Sequence, residues 1–590
     1  MFHLLSRSLR TDLLLMAGIV CLLQVSVPAQ SKPADIVILH AKIYTVNPKQ
    51  PWAEAIAIRD GKIVAVGSDR EITLYRSSSA RVIDAAQHLL MPGFTDCHIH
   101  FLDGALSTLQ VNLDDAKSIS EIQKLVHEFA AKHTESEWVL GRGWLYDVFR
   151  PSGMPDKKYL DEIIPDRPVY LESFDAHTWW ANSQALKRAG ISRDTPDPPG
   201  GKLVRDPQSG EPTGVVMEDS ADDVMRRAIP LPTRAVMESA LLDAMRHANR
   251  TGLVRAISPG GTHVAGGDFE ILDLYDELRR KGQLRLRFSI ASRIEPPAMS
   301  SATMSKIQNA RRTFNDDWIS TGSAKFFLDG VIESHAAALL APYADDRTQS
   351  GQLLWNPEDY KKAVRDLDAA GIQIYTHAIG DRAVRLALDA YEDAAHANHT
   401  NDARHRVEHI ETISADDVKR FGQLGVIASF QPLHAYPDDD ILKVWTRNAG
   451  PERAQRGFAW QSVQSAGGVL AFGSDWPVVT LNPWEGIQNA VTRQTTDGNP
   501  PGGWLPKERI SLPDAIKGYT LGAAIAGHRE KTEGSLEPGK VADMILVSQD
   551  LFHIEPALIG KTEVLLTMVG GKVVYESSAA RPAASAPGGN

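Results

Sequence analysis

The length and composition of the chain exclude several classes of protein. It has 590 residues, of which 43% are hydrophobic and 23% charged, as is ordinary for a globular protein with a large core. The formal net charge is −11 and no long basic run is present, which argues against a nucleic-acid partner because phosphate binding needs clustered Lys and Arg. At roughly 100–200 residues per domain, this length predicts several domains or one large barrel with additions.

The N-terminal segment 1–29 predicts a secretory signal peptide. Arg7 and Arg10 precede an apolar run at 13–23, and small residues lead up to Ala29. This pattern predicts cleavage after Ala29 and an exported, periplasmic or secreted protein. The apolar run is too short to span a bilayer as a helix, and the alternative is an uncleaved membrane anchor. Cleavage leaves Cys97 as the sole cysteine, so no intramolecular disulfide is predicted.

Two hairpin-rich segments enclose a long segment of another kind. Short strands separated by turns fill 30–92 and 531–578, and the Pro- and Ala-rich residues 579–590 predict a disordered tail. Between them, residues 93–530 alternate apolar runs with helical patterns, which is typical of a parallel α/β sheet or barrel. The candidate strands match the eight of a (β/α)₈ TIM barrel: 93–100, 253–260, 284–292, 323–330, 372–380, 406–410, 426–432 and 469–477.

A further strand-like run at 168–177 does not fit the barrel count. It lies in a segment of about 101–250 that is far longer than an ordinary loop. We therefore expect an inserted subdomain after the first strand, covering the active-site face of the barrel.

Histidine, lysine and aspartate side chains recur at the ends of the candidate strands. His98 and His100 end the first strand, where residues two apart share a face. By the same alternation Cys97 faces the other way and is predicted to pack against the barrel helices. At later strand ends lie Lys325, His377, His409 and Asp475. Because these ends converge on one pocket in a barrel, the pattern predicts a divalent-metal site, Zn²⁺ or a similar ion.

The ordered motifs resemble the amidohydrolase superfamily. The resemblance rests on "MPGFTDCHIHF", a strand lysine, "THAIGD", "RVEHIE" and "FGSDWPV". The branch that resembles N-substituted formamide deformylase is indicated by "LESFDAHTWWANSQAL", "PTGVVMED", "SFQPLH" and "GSLEPGKVADMILV". The resemblance covers roughly 35–576 and implies a barrel with a small β-sandwich built from both chain ends. It also implies that His98 and His100 bind one metal beside Asp475, and that His377 and His409 bind a second.

The chemical state of Lys325 stays open. Lys325 stands where family members can carry a carboxylated lysine that bridges two metals, whereas an unmodified lysine is a protonated cation and a poor ligand. In the alternative, Lys325 is unmodified and pairs with Asp329 or Glu218. Glu218 is also a second candidate for a bridging carboxylate. One or two metals per subunit are compatible with the motifs.

The metal site implies a hydrolytic mechanism. Bound metal lowers the pKa of its water towards about 7, and Asp475 moves a proton from that water to the leaving nitrogen. Asp175 and His177 of the insertion and His434 after the seventh strand are candidates for substrate contact, the alternatives being a packing cluster and a surface histidine.

The function expected from these features is hydrolysis of a non-peptide C–N bond in a small molecule by an exported enzyme. One alternative is ester hydrolysis, isomerisation or decarboxylation in the same metal barrel. Another is a non-catalytic binding or regulatory protein, although the retained His and Asp positions argue against it. Assembly into a homo-oligomer is left open.

Overall fold

A computed structural model of the protein describes residues 33–150, 153–260 and 267–578. The predicted signal peptide at 1–29 and the predicted tail at 579–590 lie outside these residues. In the part of the chain described, no helix combines the length and apolarity needed to cross a bilayer.

The centre of the molecule is a barrel of eight parallel strands that neighbour one another in chain order. Backbone hydrogen bonds from the Cys97 amide to Phe472 O (3.0 Å) and from the Asp475 amide to His98 O (2.6 Å) join the last strand to the first. The predicted (β/α)₈ barrel is confirmed, and each strand falls where the sequence predicts it. The barrel strands are Phe94–Asp96, Leu253–Ser258, Arg287–Arg293, Ile319–Phe327, Gln373–Ala378, Arg406–His409, Ile427–Phe430 and Val469–Phe472.

The barrel helices bury one apolar stripe against the strands. Asp381–Asn398 begins after Gly380 and ends at His399, whose φ of 56° makes a left-handed C-cap. The buried set includes a series spaced three to four residues apart, Val384, Ala387, Tyr391 and Ala394, as an amphipathic helix requires. The helices of the barrel layer are Phe101–Ser107, Arg234–Arg250, Leu272–Arg280, Ser301–Thr313, Pro357–Ala369, Asp381–Asn398, Ala415–Leu424, Trp460–Ser465, Pro483–Thr492, Leu512–Lys517 and Ala523–Ala526.

A β-sandwich draws its strands from both ends of the chain. One sheet contains only N-terminal strands, namely Ile36–Leu39, Ala55–Arg59, Lys62–Gly67 and Arg81–Asp84. In the other sheet, Leu89–Pro92 pairs antiparallel with Met544–Val547 and parallel with Lys42–Tyr44. The remaining strands of that sheet are Trp52–Ala53, Val564–Val569 and Lys572–Glu576.

Two buried ion pairs fasten the sandwich side of the chain to the barrel. Arg255 on the second barrel strand contacts Glu533 at 2.6 Å, and Arg287 on the third contacts Asp543 at 2.7 Å. Because all four side chains are buried, each charge depends on its partner to offset its lost hydration.

The insertion between the first two barrel strands contains a six-stranded sheet of its own. Strands Val169–Ser173 and Thr178–Ala181 form an antiparallel pair, and the turn between them carries Asp175 and His177. The other strands are Val111–Asn112, Val139–Trp144, Lys202–Arg205 and Pro212–Met217, with helices Ile119–Lys132, Lys158–Asp161, Ser183–Arg188 and Asp219–Arg226.

The expectation that Cys97 packs against the barrel helices is right only in part. The first strand ends at Asp96, so strict alternation of side chains stops before Cys97. The side chain belongs to a cluster with Ile257, Tyr375 and Ile427 of the barrel strands and with residues of the helix Ala523–Ala526, and burial raises the pKa of its thiol to about 12. Cys97 is therefore a packing residue.

Candidate metal centre

Three buried side chains form the centre of the site. One ligand atom each from His98, His409 and Asp475 lies within 4.8 Å of the others. His98 Nε2 is 3.4 Å from Asp475 Oδ1, and His409 Nδ1 is 3.8 Å from Asp475 Oδ2. The three residues come from the ends of the first, sixth and eighth strands, so barrel closure brings them together.

His100 and His434 complete a ring of histidines around Asp475. His100 Nε2 is 3.2 Å from Asp475 Oδ1, while its Nδ1 is 3.3 Å from the carbonyl oxygen of Gly260. His434, in the turn after the seventh strand, places Nε2 3.5 Å from Asp475 Oδ2. His434 is thus part of the cluster, and not a surface histidine.

His377 joins the same cluster through His409. The two ring centroids are 4.5 Å apart, and those of His98 and His409 are 4.9 Å apart. The predicted ligands therefore form one continuous group, in which His409 lies next to both His98 and His377. His377 Nε2 is 3.7 Å from Asp329 Oδ1.

Burial keeps the central imidazoles neutral. It lowers the pKa of His98 to about 4, and it lowers the pKa of His377 and of His409 well below the usual range. A neutral imidazole has one nitrogen with a free lone pair, the form in which histidine binds metals.

Glu408 sets the orientation of His98. Its Oε2 lies 2.6 Å from His98 Nδ1, which places the proton on Nδ1 and leaves the Nε2 lone pair facing the centre. Burial alone would raise the pKa of Glu408, but Arg406 and His98 outweigh it and lower this pKa to about 2. Glu408 is therefore a carboxylate, held by Arg406 at 2.8 Å.

Lys325 lies at the wall of the cluster, fully buried. Its Nζ is 3.4 Å from His98 Nε2 and 4.5 Å from the centroid of the Phe327 ring. Burial lowers the pKa of Lys325 to about 8, against the opposing effect of Glu408 and Asp475.

The acids considered as partners of Lys325 have other contacts. Asp329 accepts three backbone N–H groups, from Ala338, Ile379 and Gly380, at 2.8–3.0 Å. Glu218 accepts a hydrogen bond from His177 at 2.9 Å. The carboxylates with the largest influence on Lys325 are instead Glu408 and Asp475.

The donor set fits a divalent metal. Within the described residues, His377 Nε2, His409 Nδ1 and Asp475 Oδ1 are buried atoms that lack a hydrogen-bond partner. Such atoms are rare unless something else satisfies them, and imidazole nitrogens with carboxylate oxygens are the ligands that Zn²⁺ and similar ions take. His409 and Asp475 also have positive φ angles of 73° and 61°, a strained conformation of the kind that clusters at functional sites.

Two residues before Asp475, close packing requires a glycine. A Cβ on Gly473 would lie 2.5 Å from the backbone nitrogen of His98 and 2.8 Å from Asp96 Oδ1. Asp96 in turn accepts hydrogen bonds from the amides of His98 and Ser474 at 3.1 and 3.0 Å. These contacts join the ends of the first and eighth strands next to the metal ligands His98 and Asp475.

The comparisons with known proteins agree with this geometry. A model of the amidohydrolase family matches residues 81–575. The chain belongs to the amidohydrolase family. It is 33% identical over 549 residues to the protein LONG AFTER FAR-RED 3 of Arabidopsis thaliana, covering 92% of each chain. It is 26% identical to N-substituted formamide deformylase of Arthrobacter pascens, covering 92% of this chain and 98% of that one. This bears out the resemblance to the deformylase branch.

A solved structure supports the fold of this amidohydrolase. An uncharacterized metal-dependent hydrolase from Pyrococcus horikoshii OT3 superposes with a TM-score of 0.69 at 24% identity, covering 88% of this chain and 99% of the other. Family and site together identify a hydrolase with a divalent-metal centre.

The insertion contributes its own residues to the mouth of the site of this amidohydrolase. His177 lies with its ring centroid 5.6 Å from that of His377, and its Nδ1 is 2.9 Å from Glu218 Oε2. Asp175 accepts hydrogen bonds from Tyr146 and Ser173, which support the turn, and it also lines the cavities beside the cluster. Asp175 therefore both packs and faces the site.

The sequence reasoning missed the residues that hold the ligands. Glu408 lies in the quoted "RVEHIE" two positions after Arg406, and this i, i+2 spacing on a barrel strand signals a pair on the same inward face. Asp329 was considered only as a partner of Lys325, although an acid just beyond a strand end is placed to accept backbone N–H groups of the next loop.

Proposed function

We propose that this amidohydrolase is an exported Zn²⁺-dependent enzyme that hydrolyses a non-peptide C–N bond in a small molecule. The observation that carries the proposal is the buried cluster of His98, His409 and Asp475, in which His409 Nδ1 and Asp475 Oδ1 lack a hydrogen-bond partner among the described residues. Export is supported by the signal-peptide pattern at 1–29.

The residues that would hold the metal are His98, His100, His377, His409 and Asp475. When bound, the divalent ion supplies Lewis acidity, which polarises a carbonyl group and makes water a better nucleophile at neutral pH. Because burial keeps His98, His377 and His409 neutral, these three can bind the ion without first losing protons.

Asp475 is the group placed to move the proton. Burial alone would raise the pKa of Asp475, but its contacts with His98 and His100 lower it, so its carboxylate is ionised and able to accept a proton from the attacking water. Its Oδ1 lies at the centre of the cluster, 3.4 Å from His98 Nε2, where it can pass that proton to the leaving nitrogen. His434 and His100, within 3.5 Å of Asp475, keep the carboxylate in position.

Lys325 is proposed to be carboxylated. Carboxylation requires the neutral amine, and a pKa of about 8 leaves part of Lys325 neutral near pH 7. The product would be an anion beside His98 that could bridge two ions. Mass spectrometry of the native protein in bicarbonate buffer, compared with a Lys325→Ala variant, tests this directly, and an unmodified mass for Lys325 refutes it.

The decisive experiment joins metal analysis to a substrate panel. Zn²⁺-loaded protein should contain one or two equivalents of metal and hydrolyse at least one of a set of N-formyl, N-acyl and cyclic amides. Asp475→Asn should lose turnover by a factor of at least 100 while keeping its metal, whereas Asp366→Asn, on the exposed face of a barrel helix, should match the wild type. Protein that loads metal but turns over only esters, or nothing, would favour the alternative functions.

A further inference from the structure

A cavity of about 270 Å³ adjoins the metal centre on the side of His434. Besides Asp475, six carboxylate side chains line it, and none of the described lining residues is Lys or Arg: the six acids are Asp175, Glu333, Glu411, Asp438, Asp440 and Glu485. The cavity shares His377, His409 and Asp475 with the site. A ligand bound here would therefore extend from the reacting centre into a strongly acidic space.

One of these acids points to a ligand independently. The side chain of Asp440 is 3% exposed, and within the described residues its Oδ1 has no hydrogen-bond partner. Burying a carboxylate oxygen without a donor is costly unless a positive group satisfies it. Burial, with Asp438 and Asp175 nearby, raises the pKa of Asp440 to about 7.

Glu333 is also affected by its acidic neighbours. Burial, with Glu411 and Asp175 nearby, raises the pKa of Glu333 well above the usual range. The raised pKa values show that ionising these neighbouring acids together is unfavourable, and a cation among them would favour their ionised forms.

Hydrogen bonds hold the backbone at Glu333 and the side chain of Glu411. Asn448 Nδ2 donates to the carbonyl oxygens of Ile332 and Glu333 at 3.2 and 3.1 Å. Trp445 Nε1 donates to Glu411 Oε2 at 2.7 Å. Preorganised groups bind with less loss of entropy than mobile ones, so this arrangement favours a specific ligand over diffuse attraction of counter-ions.

Apolar side chains form much of the rest of the cavity wall. They include Val331, Ile379, Leu433, Ile441 and Val478. An apolar wall with a few convergent polar groups is the usual form of a small-molecule site, and here it fits an alkyl or aryl chain that ends in a positive charge.

We propose that the substrate carries a positively charged amine, and that the acidic cavity binds this amine while the amide lies at the metal centre. The inference rests on the proposed amide hydrolysis for its second half, but the binding of the amine can be tested without turnover.

The binding test uses three ligands of matched chain length and the Zn²⁺-loaded protein. Isothermal titration calorimetry should show hexylammonium binding at least tenfold more tightly than 1-hexanol, and hexanoate more weakly than either. A tenfold difference corresponds to about 1.4 kcal/mol. A ratio of hexylammonium to hexanol affinity below ten overturns the proposal.

Variants test whether the preference for the ammonium ligand comes from the acids of the cavity and not from the metal centre. Asp440→Asn and Glu333→Gln should each reduce the ratio at least threefold. Asp439→Asn is the matched control, because Asp439 is the preceding residue but pairs with Lys443 on the exposed surface, and it should leave the ratio unchanged. If circular dichroism shows that one site variant is unfolded, the other decides. A ratio that survives in every folded site variant refutes the assignment.

Hydrolysis separates this inference from the proposed function. N-(4-aminobutyl)formamide should be cleaved with a kcat/KM at least tenfold above that of N-pentylformamide, and N-(4-carboxybutyl)formamide should be the poorest substrate. Equal rates for the amine and its neutral counterpart would overturn the inference but keep the proposed function. Tight ammonium binding without cleavage of any amide would keep the cation site and reject the hydrolysis.

Discussion

Removal of the Asp329 carboxylate should destabilise the protein because it leaves three buried backbone N–H groups without their acceptor. Oδ1 accepts the Ile379 N–H at 3.0 Å, and Oδ2 accepts those of Ala338 and Gly380 at 2.8 Å. Asp329 is fully buried. Each buried N–H left without a partner costs about 1–3 kcal/mol, and a water entering the vacated space offsets part of this. We therefore expect Asp329→Ala to lose about 3–5 kcal/mol.

Asp329→Asn should give a smaller and informative loss. Its carbonyl oxygen can still accept from Ala338 and Gly380, while its NH₂ group opposes the N–H of Ile379. One unsatisfied amide instead of three predicts a loss of about 1–3 kcal/mol. The expected order of stability is wild type, then Asn, then Ala.

Thermal unfolding of the Zn²⁺-loaded protein checks the order. An unfolding entropy of about 2.1 cal/mol/K per residue over the described residues makes each kcal/mol worth about 1 °C, so Asp329→Ala should lower Tm by about 3–5 °C. The control is Asp366→Ala, whose exposed side chain pairs with Lys362 and which should stay within about 0.5 °C. The reasoning fails if Asp329→Ala shifts Tm by less than 1 °C, or if Asn and Ala are equal.

Three further predictions concern the ligands, the pH response and the metal. Glu408→Gln should weaken Zn²⁺ binding by about 10–100-fold, because Glu408 orients His98. Competitive titration with a chelator measures the Zn²⁺ affinity, and an unchanged affinity would contradict this role of Glu408. Burial raises the pKa of Asp268 from 3.8 to about 6. Between these values the folded state keeps a proton that the unfolded state loses, so stability falls by about 3 kcal/mol as the pH rises through this window. In the Asp268→Asn variant, Tm should therefore fall less between about pH 4 and about pH 6 than it does in the wild type. An equal fall of Tm in the variant would refute this role of Asp268. Chelation of the metal should lower Tm and re-addition of Zn²⁺ should restore it, since a ligand bound only by the folded state stabilises it; a Tm that does not respond would argue against a resident metal.

The barrel could be predicted because its chemistry and its strands coincide. His98, Lys325, His377, His409 and Asp475 each lie in or just beyond an apolar run, so the same short segments carried both the strand pattern and the ligand pattern. The strand-like run at 168–177, which exceeded the eight strands of the barrel, correctly indicated the insertion. The deformylase-like branch was also predictable, since its motifs extend over both the insertion and the sandwich.

What failed was reasoning that needed the end of a strand or a contact between loops. Cys97 was placed by alternation, but the strand stops at Asp96 and the side chain packs against barrel strands as well as a helix. Glu333, Glu411 and Asp440 follow the fourth, sixth and seventh strands and meet only because parallel strands deliver their loops to one end of the barrel. Nothing in their local sequence distinguishes them from surface acids, and their shared cavity depends on three-dimensional closure.

The sandwich has a consequence for synthesis. Leu89–Pro92 cannot complete its sheet until Met544–Val547 has been synthesised. A strand near the start of the chain therefore stays unpaired on one side until nearly the whole chain has been made. A chain that stops anywhere before residue 544 leaves the edge of Leu89–Pro92 unpaired, and a buried apolar strand with an open edge is a template for aggregation. Truncated products of this gene should therefore be removed or aggregate as a class, even when the whole barrel has been synthesised.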